Sequence, residues 1–513
     1  MVALPFVAYL LGAGLLTLMS RRRARLVWGL AVAFGAAALA ATLLVGRSVP
    51  AILSISAWKP DDVFLDRILL VLDPVGWPIQ LAASSVVLAA LLSEPVLRDG
   101  PGGVARTLAY AAAGMASIQA GNLLTVGLTW TILDVAGGAL PGLLAEEEPV
   151  VVRSRWIANT AGILLVLGGV LGLSDGGLDR GLSGAGALPL SGGLVVAGCT
   201  LRLAAAWWAP TSSGKEDAGT WQRRLFPLAA CLAVLGRVLG GEAGPLVPWV
   251  AVLGAIAVLL AGAAWARDPG EPASFAGLAV GLAGVAALSG VAGTAPPGAV
   301  WSSVGVLLLI AGALFVVSGP QTAWHRWVFR ALALVVAGLP FTPGGIVASA
   351  LVSGDRGWIG WAAGVLGLAG MAWLAVGMWR RGDGPLLALP DVERLTRNAH
   401  IAGILVLLAC LPLSYLLRVD SESSLNWIGP VAGVALMGVG LELRRRWRAP
   451  GRTRGARAAR WLDASTIAAL LGGPMRALLA GVGRLADLLE GEAAVLWIYV
   501  IVVALALAAG LGG

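Results

Sequence analysis

Two charged residues fall in the middle of long apolar runs. Asp134 lies in GNLLTVGLTWTILDVAGGALPGLL, and Arg202 lies in GCTLRLAAAWWAP. An ionisable side chain in a bilayer costs about 2.5–3.5 kcal/mol on insertion scales, so each one asks for an explanation. A carboxylate can carry a proton, whereas a guanidinium stays charged and can only tune its neighbour. We therefore consider Asp134 and Arg202 candidates for a proton path, and a purely structural buried pair remains an open alternative.

A third acidic residue, Asp73, precedes Pro74 in LDPVGWP, at the start of another apolar run. An Asp at this point accepts hydrogen bonds from the free N–H groups of the first helical turn and lies at the positive end of the helix dipole. We interpret Asp73 and Pro74 as a structural helix cap.

The segment AGLPFTPGG at 337–345 places two prolines and three glycines within an apolar run. Such a break frees backbone groups, which are tolerated at membrane depth only where protein or an aqueous cavity satisfies them. The pattern predicts a discontinuous helix near 337–345 and is the strongest local indication of an ion or solute pathway. The residues expected at this break or its cavity are Gly338, Pro340, Thr342, Pro343 and Gly344.

Metal and cofactor chemistry is not indicated by the sequence. Three cysteines have no CxxC spacing, and two histidines, His325 and His400, are too few for a metal cluster. Flavin, haem and iron–sulfur signatures are not recognisable. We expect no metal, no cofactor and no catalytic residue in this chain.

The composition indicates an integral membrane protein. Hydrophobic residues make up 58% of the chain and charged residues 12%, whereas soluble domains carry about 25% charged residues. A window of about 20 apolar residues predicts sixteen spanning helices in an all-α, polytopic transmembrane bundle. The predicted spans are 2–19, 27–45, 75–96, 104–119, 121–143, 156–173, 190–209, 226–241, 246–265, 273–290, 300–318, 328–352, 358–379, 399–417, 426–443 and 493–511.

The distribution of basic residues predicts the orientation of these spans. Of the 36 Lys and Arg residues, 28 fall in the loops of one side, and seven, which include Arg237, fall on the other side. Basic loops face the cytoplasm, so both termini are expected outside the cell membrane. The arginines at 444–460 are interpreted as an anchor to anionic lipid headgroups, and no nucleic-acid partner is needed.

Five segments are predicted along the chain. A basic and weakly amphipathic stretch, interrupted by Gly and Pro, is expected to lie along the cytoplasmic surface before the final span. The segments are two N-terminal spans with an outward loop (1–60), a transmembrane core (61–380), C-terminal spans (381–443), the lateral stretch (444–491) and the final span (492–513).

Five pieces of the chain, in order, resemble the antiporter-like proton-translocating membrane subunits. These subunits are shared by respiratory complex I (NADH–quinone oxidoreductase), membrane-bound hydrogenases and multisubunit sodium/proton antiporters. The matching pieces are LLVLDPVGWPIQLAASSVVLAALL at 69–92, SIQAGNLLTVGLTWTILDVAGGAL at 117–140, LRLAAAWWAP at 201–210, WARDPGEPASFAGLAVGLAGVAAL at 265–288 and GLPFTPGG at 338–345.

The resemblance implies an inverted-repeat antiporter-like core and a place for the lateral stretch before the last span. It also implies a membrane subunit of a respiratory or ion-translocating complex, with proton translocation or a degenerate scaffold role. The partners would be other membrane subunits and the lipid bilayer, and redox chemistry would belong to those subunits.

The chain departs from the family at the charged positions. Thr131 stands where the family has its fifth-helix glutamate, with Asp134 about one turn further on. Arg202 is the nearest counterpart of the seventh-helix lysine. Val304 and Ala348 fall where two further lysines are expected. Most of the titratable groups of the family's proton route are therefore replaced.

Two other functions remain open at this stage. A stand-alone secondary transporter of a small solute would bind beside the 337–345 break, where Thr342 and Ser349 are available. A membrane-embedded enzyme acting on lipid ranks last, because the outward loops carry acids but no histidine.

Overall fold

The computed structural model describes residues 2–19, 24–56, 67–93, 100–138, 149–169, 181–182, 189–207, 218–240, 247–266, 271–292, 297–317, 323–352, 357–383, 394–417 and 426–447. Within these ranges the chain forms sixteen α-helices and a two-stranded hairpin. The elements are α1 (Leu4–Thr17), α2 (Ala24–Val45), β1 (Ala51–Ser56), β2 (Arg67–Leu72), α3 (Gly76–Ser93), α4 (Gly100–Ile118), α5 (Leu123–Gly138), α6 (Pro149–Gly168), α7 (Pro189–Trp207), α8 (Ala218–Leu239), α9 (Val247–Ala266), α10 (Glu271–Ala292), α11 (Pro297–Val317), α12 (Ala323–Ala337), α13 (Pro343–Val352), α14 (Gly357–Gly382), α15 (Arg394–Leu416) and α16 (Ile428–Trp447).

The predicted helical bundle is confirmed. Each predicted span up to residue 443 coincides with a helix, except that the span at 328–352 consists of two helices, α12 and α13. The discontinuous helix predicted near 337–345 is therefore present. The lateral stretch, apart from its first residues, and the final span lie outside the described residues, which end at residue 447.

The outer surface of the bundle is apolar, as expected of a multi-pass membrane protein. Among the described helices, four are both long and apolar enough to cross a membrane, and nine shorter helices are also apolar. Tryptophans that anchor proteins at the membrane interface are exposed at the N-terminal ends of α9, α14 and α16: Trp249, Trp358, Trp361 and Trp427.

Helix α3 is a central helix of the bundle. It is buried along nearly its whole length and packs against α2, α8, α11 and α15. Elsewhere in the bundle, small residues let helices approach closely. Close packing matters here because lipid gives no hydrophobic drive for association between helices. For example, α9 and α10 touch backbone to backbone, where Gly254 faces Gly284.

The β1–β2 hairpin was not predicted, because the sequence suggested only an outward loop here. The strands pair antiparallel, from Ala51 opposite Leu72 to Ser56 opposite Arg67. The hairpin continues into the α4–α5 turn, where the Val71 amide donates to the Gln119 carbonyl oxygen at 2.7 Å. The all-α fold class is confirmed, and this small hairpin ties the first loop to the end of α4.

Candidate functional site

The two mid-span charges, Asp134 on α5 and Arg202 on α7, form a two-point ion pair. The Arg202 Nη1 and Nη2 atoms donate to the Asp134 Oδ2 and Oδ1 atoms, each at 2.8 Å. The Arg202 side chain is 1% exposed and that of Asp134 is 9% exposed. Bidentate geometry is the strongest form of this interaction, and burial strengthens it further. The structure thus brings the two candidate residues together in the bundle interior.

Few other groups hold Arg202 in place. Its Nη1 atom also donates to the Asn159 carbonyl oxygen at 3.2 Å, and its guanidinium lies 4.5 Å from the centre of the Trp130 ring. The Nε atom has no hydrogen-bond partner among the described residues. Gly162 makes room for the arginine stem, since a Cβ there would lie 2.7 Å from the Arg202 Cγ atom.

The other positions of the family's proton route are apolar or already bonded. Thr131, at the glutamate position, donates its hydroxyl to the Gly127 carbonyl oxygen at 2.7 Å. Val304 and Ala348, at two lysine positions, are fully buried. Cys199 and Cys231 are buried as free thiols. Within the described interior, the carboxylate of Asp134 therefore has no acidic neighbour along that route.

A second ion pair, between the partly buried Asp73 and the buried Arg237, was not predicted. The Arg237 Nε and Nη2 atoms donate to the Asp73 Oδ2 and Oδ1 atoms, both at 2.9 Å. Assigning Arg237 to the outward loops was wrong, because it lies on α8 and is 7% exposed. The sequence did contain a signal for this burial, because Arg237 lies inside the predicted span 226–241.

Arg237 also donates to three backbone carbonyl oxygens at the ends of other elements. Its Nη1 atom reaches Ile118 at 2.7 Å and Ala120 at 3.0 Å, and its Nη2 atom reaches Val71 at 3.2 Å. All five N–H groups of the guanidinium are therefore used. This one side chain joins α8 to the hairpin and to the α4–α5 turn.

Asp73 lies between β2 and α3, outside the spanning helices. Its Oδ1 atom accepts a hydrogen bond from the Gly76 amide at 2.6 Å, and Pro74 lies in the turn before α3. Burial alone would raise the pKa of the Asp73 carboxyl, but the charge and hydrogen bonds of Arg237 and the Gly76 amide hold that pKa below its usual value.

The break between α12 and α13 is locally strained and internally bonded. Gly338 and Phe341 have φ angles of 111° and 59°, and the latter is unusual for a residue with a bulky side chain. The Thr342 hydroxyl donates to the Leu339 carbonyl oxygen at 2.5 Å and accepts from the Gly345 amide at 3.4 Å. Pro340 lies in the link, Pro343 begins α13, and Gly344 passes close to the Val335 carbonyl oxygen.

Helix α16 covers the break. Gly429 lies against the Ala348 carbonyl of α13, and Gly433 lies against the Ala337 carbonyl of α12. The Phe341 ring makes edge-on contacts with Tyr415 and Trp427, with ring centroids 5.8 and 5.4 Å apart. Protein therefore packs on this side of the break, and a role for the break in a pathway stays a prediction.

A cavity of about 110 Å³ lies among α7, α8, α9 and α10. Thr200 and Leu203, which flank Arg202 in sequence, form part of its wall, and the remaining lining is apolar. This cavity does not include the break residues. It is therefore a separate feature from the two sites predicted from the sequence.

The arrangement of these helices is the antiporter-like fold of membrane subunits. A chain of respiratory complex I from Thermus thermophilus matches with a TM-score of 0.64 and 17% identity, over 85% of this chain and 100% of that chain. A chain of the Mrp complex from Dietzia sp. DQ12-45-1b matches with a TM-score of 0.67 and 14% identity, over 100% of this chain and 63% of that chain.

A third match comes from the membrane-bound sulfane sulfur reductase, an archaeal respiratory membrane complex. It has a TM-score of 0.66 and 14% identity, over 98% of this chain and 99% of that chain. No protein-family model and no curated protein sequence matches the chain. The expected resemblance to the antiporter-like subunits is thus confirmed at the level of the fold.

Proposed function

We propose that this chain is an ion-translocating membrane subunit of a multisubunit complex of the respiratory or cation/proton antiporter type. The observation that carries the proposal is the buried Asp134–Arg202 pair on α5 and α7. It occupies the fifth and seventh spanning helices of a fold shared with subunits of such complexes. Other membrane subunits would then be its partners, as they are for those relatives.

The geometry supports a specific role for each member of the pair. Arg202 keeps its charge at any accessible pH, so it cannot itself carry a proton, and the proton carrier of the pair would be Asp134. In this proposal the guanidinium moves away from the carboxylate during transfer. The Arg202 Nε atom has no partner, and one backbone carbonyl anchors the guanidinium, so few hydrogen bonds oppose that movement.

The apolar positions on the same route limit what the chain does alone. Val304 and Ala348 supply no titratable group, so we expect weak proton flux through the isolated chain. If that flux is absent, the chain has a largely structural role within the complex. The proposed orientation places the basic loops in the cytoplasm and both termini outside, with the stretch 444–491 on the cytoplasmic surface.

Two measurements test the proposal. The protein purified from its native membrane in mild detergent should carry other membrane subunits with it, and isolation of the chain alone would contradict the assignment to a complex. In liposomes, Asp134→Asn should lower the proton flux of the purified complex. The matched control is Asp383→Asn, which removes the charge of an exposed aspartate that also pairs with an arginine, Arg330.

The second measurement separates conduction from scaffolding. Equal flux in the wild type, Asp134→Asn and Asp383→Asn would remove Asp134 from any proton path. Co-purifying subunits together with unchanged flux would favour the scaffold role. Substrate-driven transport by the isolated chain would instead favour a stand-alone transporter.

A further inference from the structure

A group of buried neutral polar side chains lies between α1, α2, α3 and the end of α4, apart from both ion pairs. Its members are fully buried: Tyr9, Thr42, Gln80, Ser84 and Gln119. Each of these side chains is uncharged at neutral pH, and each both donates and accepts hydrogen bonds. We call this group the neutral polar cluster.

Hydrogen bonds connect the cluster across helices. Gln80 and Ser84 are four residues apart in α3 and so share one face of that helix. The Ser84 and Thr42 hydroxyls are 3.1 Å apart, and the Gln119 Nε2 atom donates to the Gln80 Oε1 atom at 2.9 Å. The same Nε2 atom donates to the Val2 carbonyl oxygen at 3.2 Å, which fixes the orientation of the Gln119 amide because a carbonyl can only accept.

Three polar atoms of the cluster have no hydrogen-bond partner among the described residues. They are the Gln80 Nε2 atom, the Gln119 Oε1 atom and the Tyr9 hydroxyl. The Tyr9 hydroxyl is close to Ser84, but no hydrogen bond of good geometry joins the two. Leaving a buried polar atom unpaired destabilises a protein, so three such atoms in one cluster point to a bound ligand.

We propose that internal water binds in the neutral polar cluster and satisfies Gln80 Nε2, Gln119 Oε1 and the Tyr9 hydroxyl. The ligand must accept from the amide nitrogen of Gln80 and donate to the amide oxygen of Gln119. A cation cannot accept the first hydrogen bond, and an unprotonated anion cannot donate the second. Water does both, and buried waters typically make about three hydrogen bonds to otherwise unsatisfied groups.

The position of the cluster defines how far this hydration extends. Gln80 lies one helical turn beyond Gly76, the residue whose amide bonds Asp73. The same side of α3 continues beyond Ser84 with the buried residues Val87 and Leu91. Water held here would therefore lie about one helical turn along α3 from the Asp73–Arg237 pair and stop at apolar side chains, in a site that contains no carboxylate.

Hydroxyl-radical labelling by a brief X-ray pulse in ¹⁸O-water tests the proposal, because radicals formed from bound water oxidise adjacent side chains. Mass spectrometry of the full-length protein should find ¹⁸O on Tyr9, although its side chain is fully buried. Tyr110 is the internal control, since it is also buried and its ring packs edge-on against Phe226. Labelling of Tyr9 no higher than that of Tyr110 would overturn the proposal.

A variant links the label to the named atoms. In Gln80→Leu/Gln119→Leu, the label on Tyr9 should fall to the level of Tyr110. It should stay unchanged in Ser85→Ala, because the Ser85 hydroxyl bonds its own helix at the Leu81 carbonyl. A persistent label in a folded double variant would contradict the assignment, as would a label that requires Na⁺ and is lost in choline buffer. Should the double variant not fold, the comparison of Tyr9 with Tyr110 in the wild type still decides.

Discussion

Asp134–Arg202 and Asp73–Arg237 are both two-point ion pairs, with N–O distances of 2.8 Å in the first and 2.9 Å in the second. They differ in what else the arginine contacts. Arg237 uses all five of its N–H groups and reaches three backbone carbonyl oxygens. Arg202 reaches one backbone carbonyl, and its Nε atom has no partner among the described residues.

Under the proposed function, this difference would make Asp73–Arg237 a structural contact and Asp134–Arg202 the contact that moves. Displacing Arg237 would remove its hydrogen bonds to one carboxylate and to three carbonyl oxygens, at the junction of α8, the hairpin and the α4–α5 turn. Displacing Arg202 would remove its hydrogen bonds to one carboxylate and to one carbonyl oxygen. The two pairs have the same residue types, so we propose that the number of hydrogen bonds made by the arginine is what separates a structural pair from one that serves ion transfer.

The largest effect is expected from Arg237→Met. Removing one partner of a buried pair costs about 3–5 kcal/mol, and here unpaired carbonyl oxygens add to that cost. Heating in detergent followed by size-exclusion chromatography should show a lower melting temperature and a poorer yield of folded protein. Arg237→Lys should fall in between, since it keeps the charge but has three N–H donors. A Met variant as stable as the wild type would remove the structural role.

A smaller loss is expected from Arg202→Leu, and a second change should reverse most of it. In Asp134→Leu/Arg202→Leu the uncompensated carboxylate is gone, and replacing a buried pair by apolar residues is often neutral. The double variant should therefore melt above Arg202→Leu. The equivalent double change, Asp73→Leu/Arg237→Leu, should raise the melting temperature much less above that of Arg237→Leu. The reason is that three carbonyl oxygens still lack the hydrogen bonds that Arg237 donated. Equal recovery at both pairs would contradict the comparison.

Acidification should act through Asp73. Its pKa is depressed in the folded protein, so its stabilising contribution is complete above the pKa of an unfolded aspartate, about 3.9, and is lost as the pH falls through the lower folded-state pKa. The melting temperature of the wild type should therefore fall below about pH 4. Asp73→Asn should melt lower at neutral pH and show a weaker dependence on acid. A parallel acid dependence in both proteins would exclude Asp73 as a source of it.

The smallest effect is expected at the exposed pair of Arg330 and Asp383, whose N–O distance is 3.3 Å. Pairs in contact with solvent contribute about 0–1 kcal/mol, because water screens the charges and the side chains lose rotamer freedom. Asp383→Ala should leave the melting temperature nearly unchanged. The melting temperature of this variant is the reference for the changes in melting temperature at the other two pairs.

Much of the fold followed from local sequence properties. Apolar runs of about 20 residues predicted the positions of the helices, and the prolines and glycines of 337–345 predicted the break between α12 and α13. The helix positions and the break both depend on residues that are close together in the sequence. The β1–β2 hairpin was missed, since two strands of six residues carry little periodic signal beside long helices.

The site was only partly predictable, for the same physical reason. Asp134 and Arg202 stand out because each is a charge in the middle of an apolar run, although their contact depends on how α5 and α7 pack. Asp73 and Arg237 are 164 residues apart, and each lies near a helix end, where a charge is unremarkable. Gln80 and Gln119 are neutral, so a search for charges within apolar runs does not mark them, and only the packing of α3 against the end of α4 brings them together.

The glycine contacts of α16 have a mechanical consequence. Gly429 contacts α13 and Gly433 contacts the end of α12. Helix α16 is therefore in backbone contact with both half-helices. Helix α16 has 20 residues and is thus about 30 Å long. Its far end carries Arg444, Arg445 and Arg446. A tilt of the half-helices at the break would therefore move α16 as well, together with its basic end.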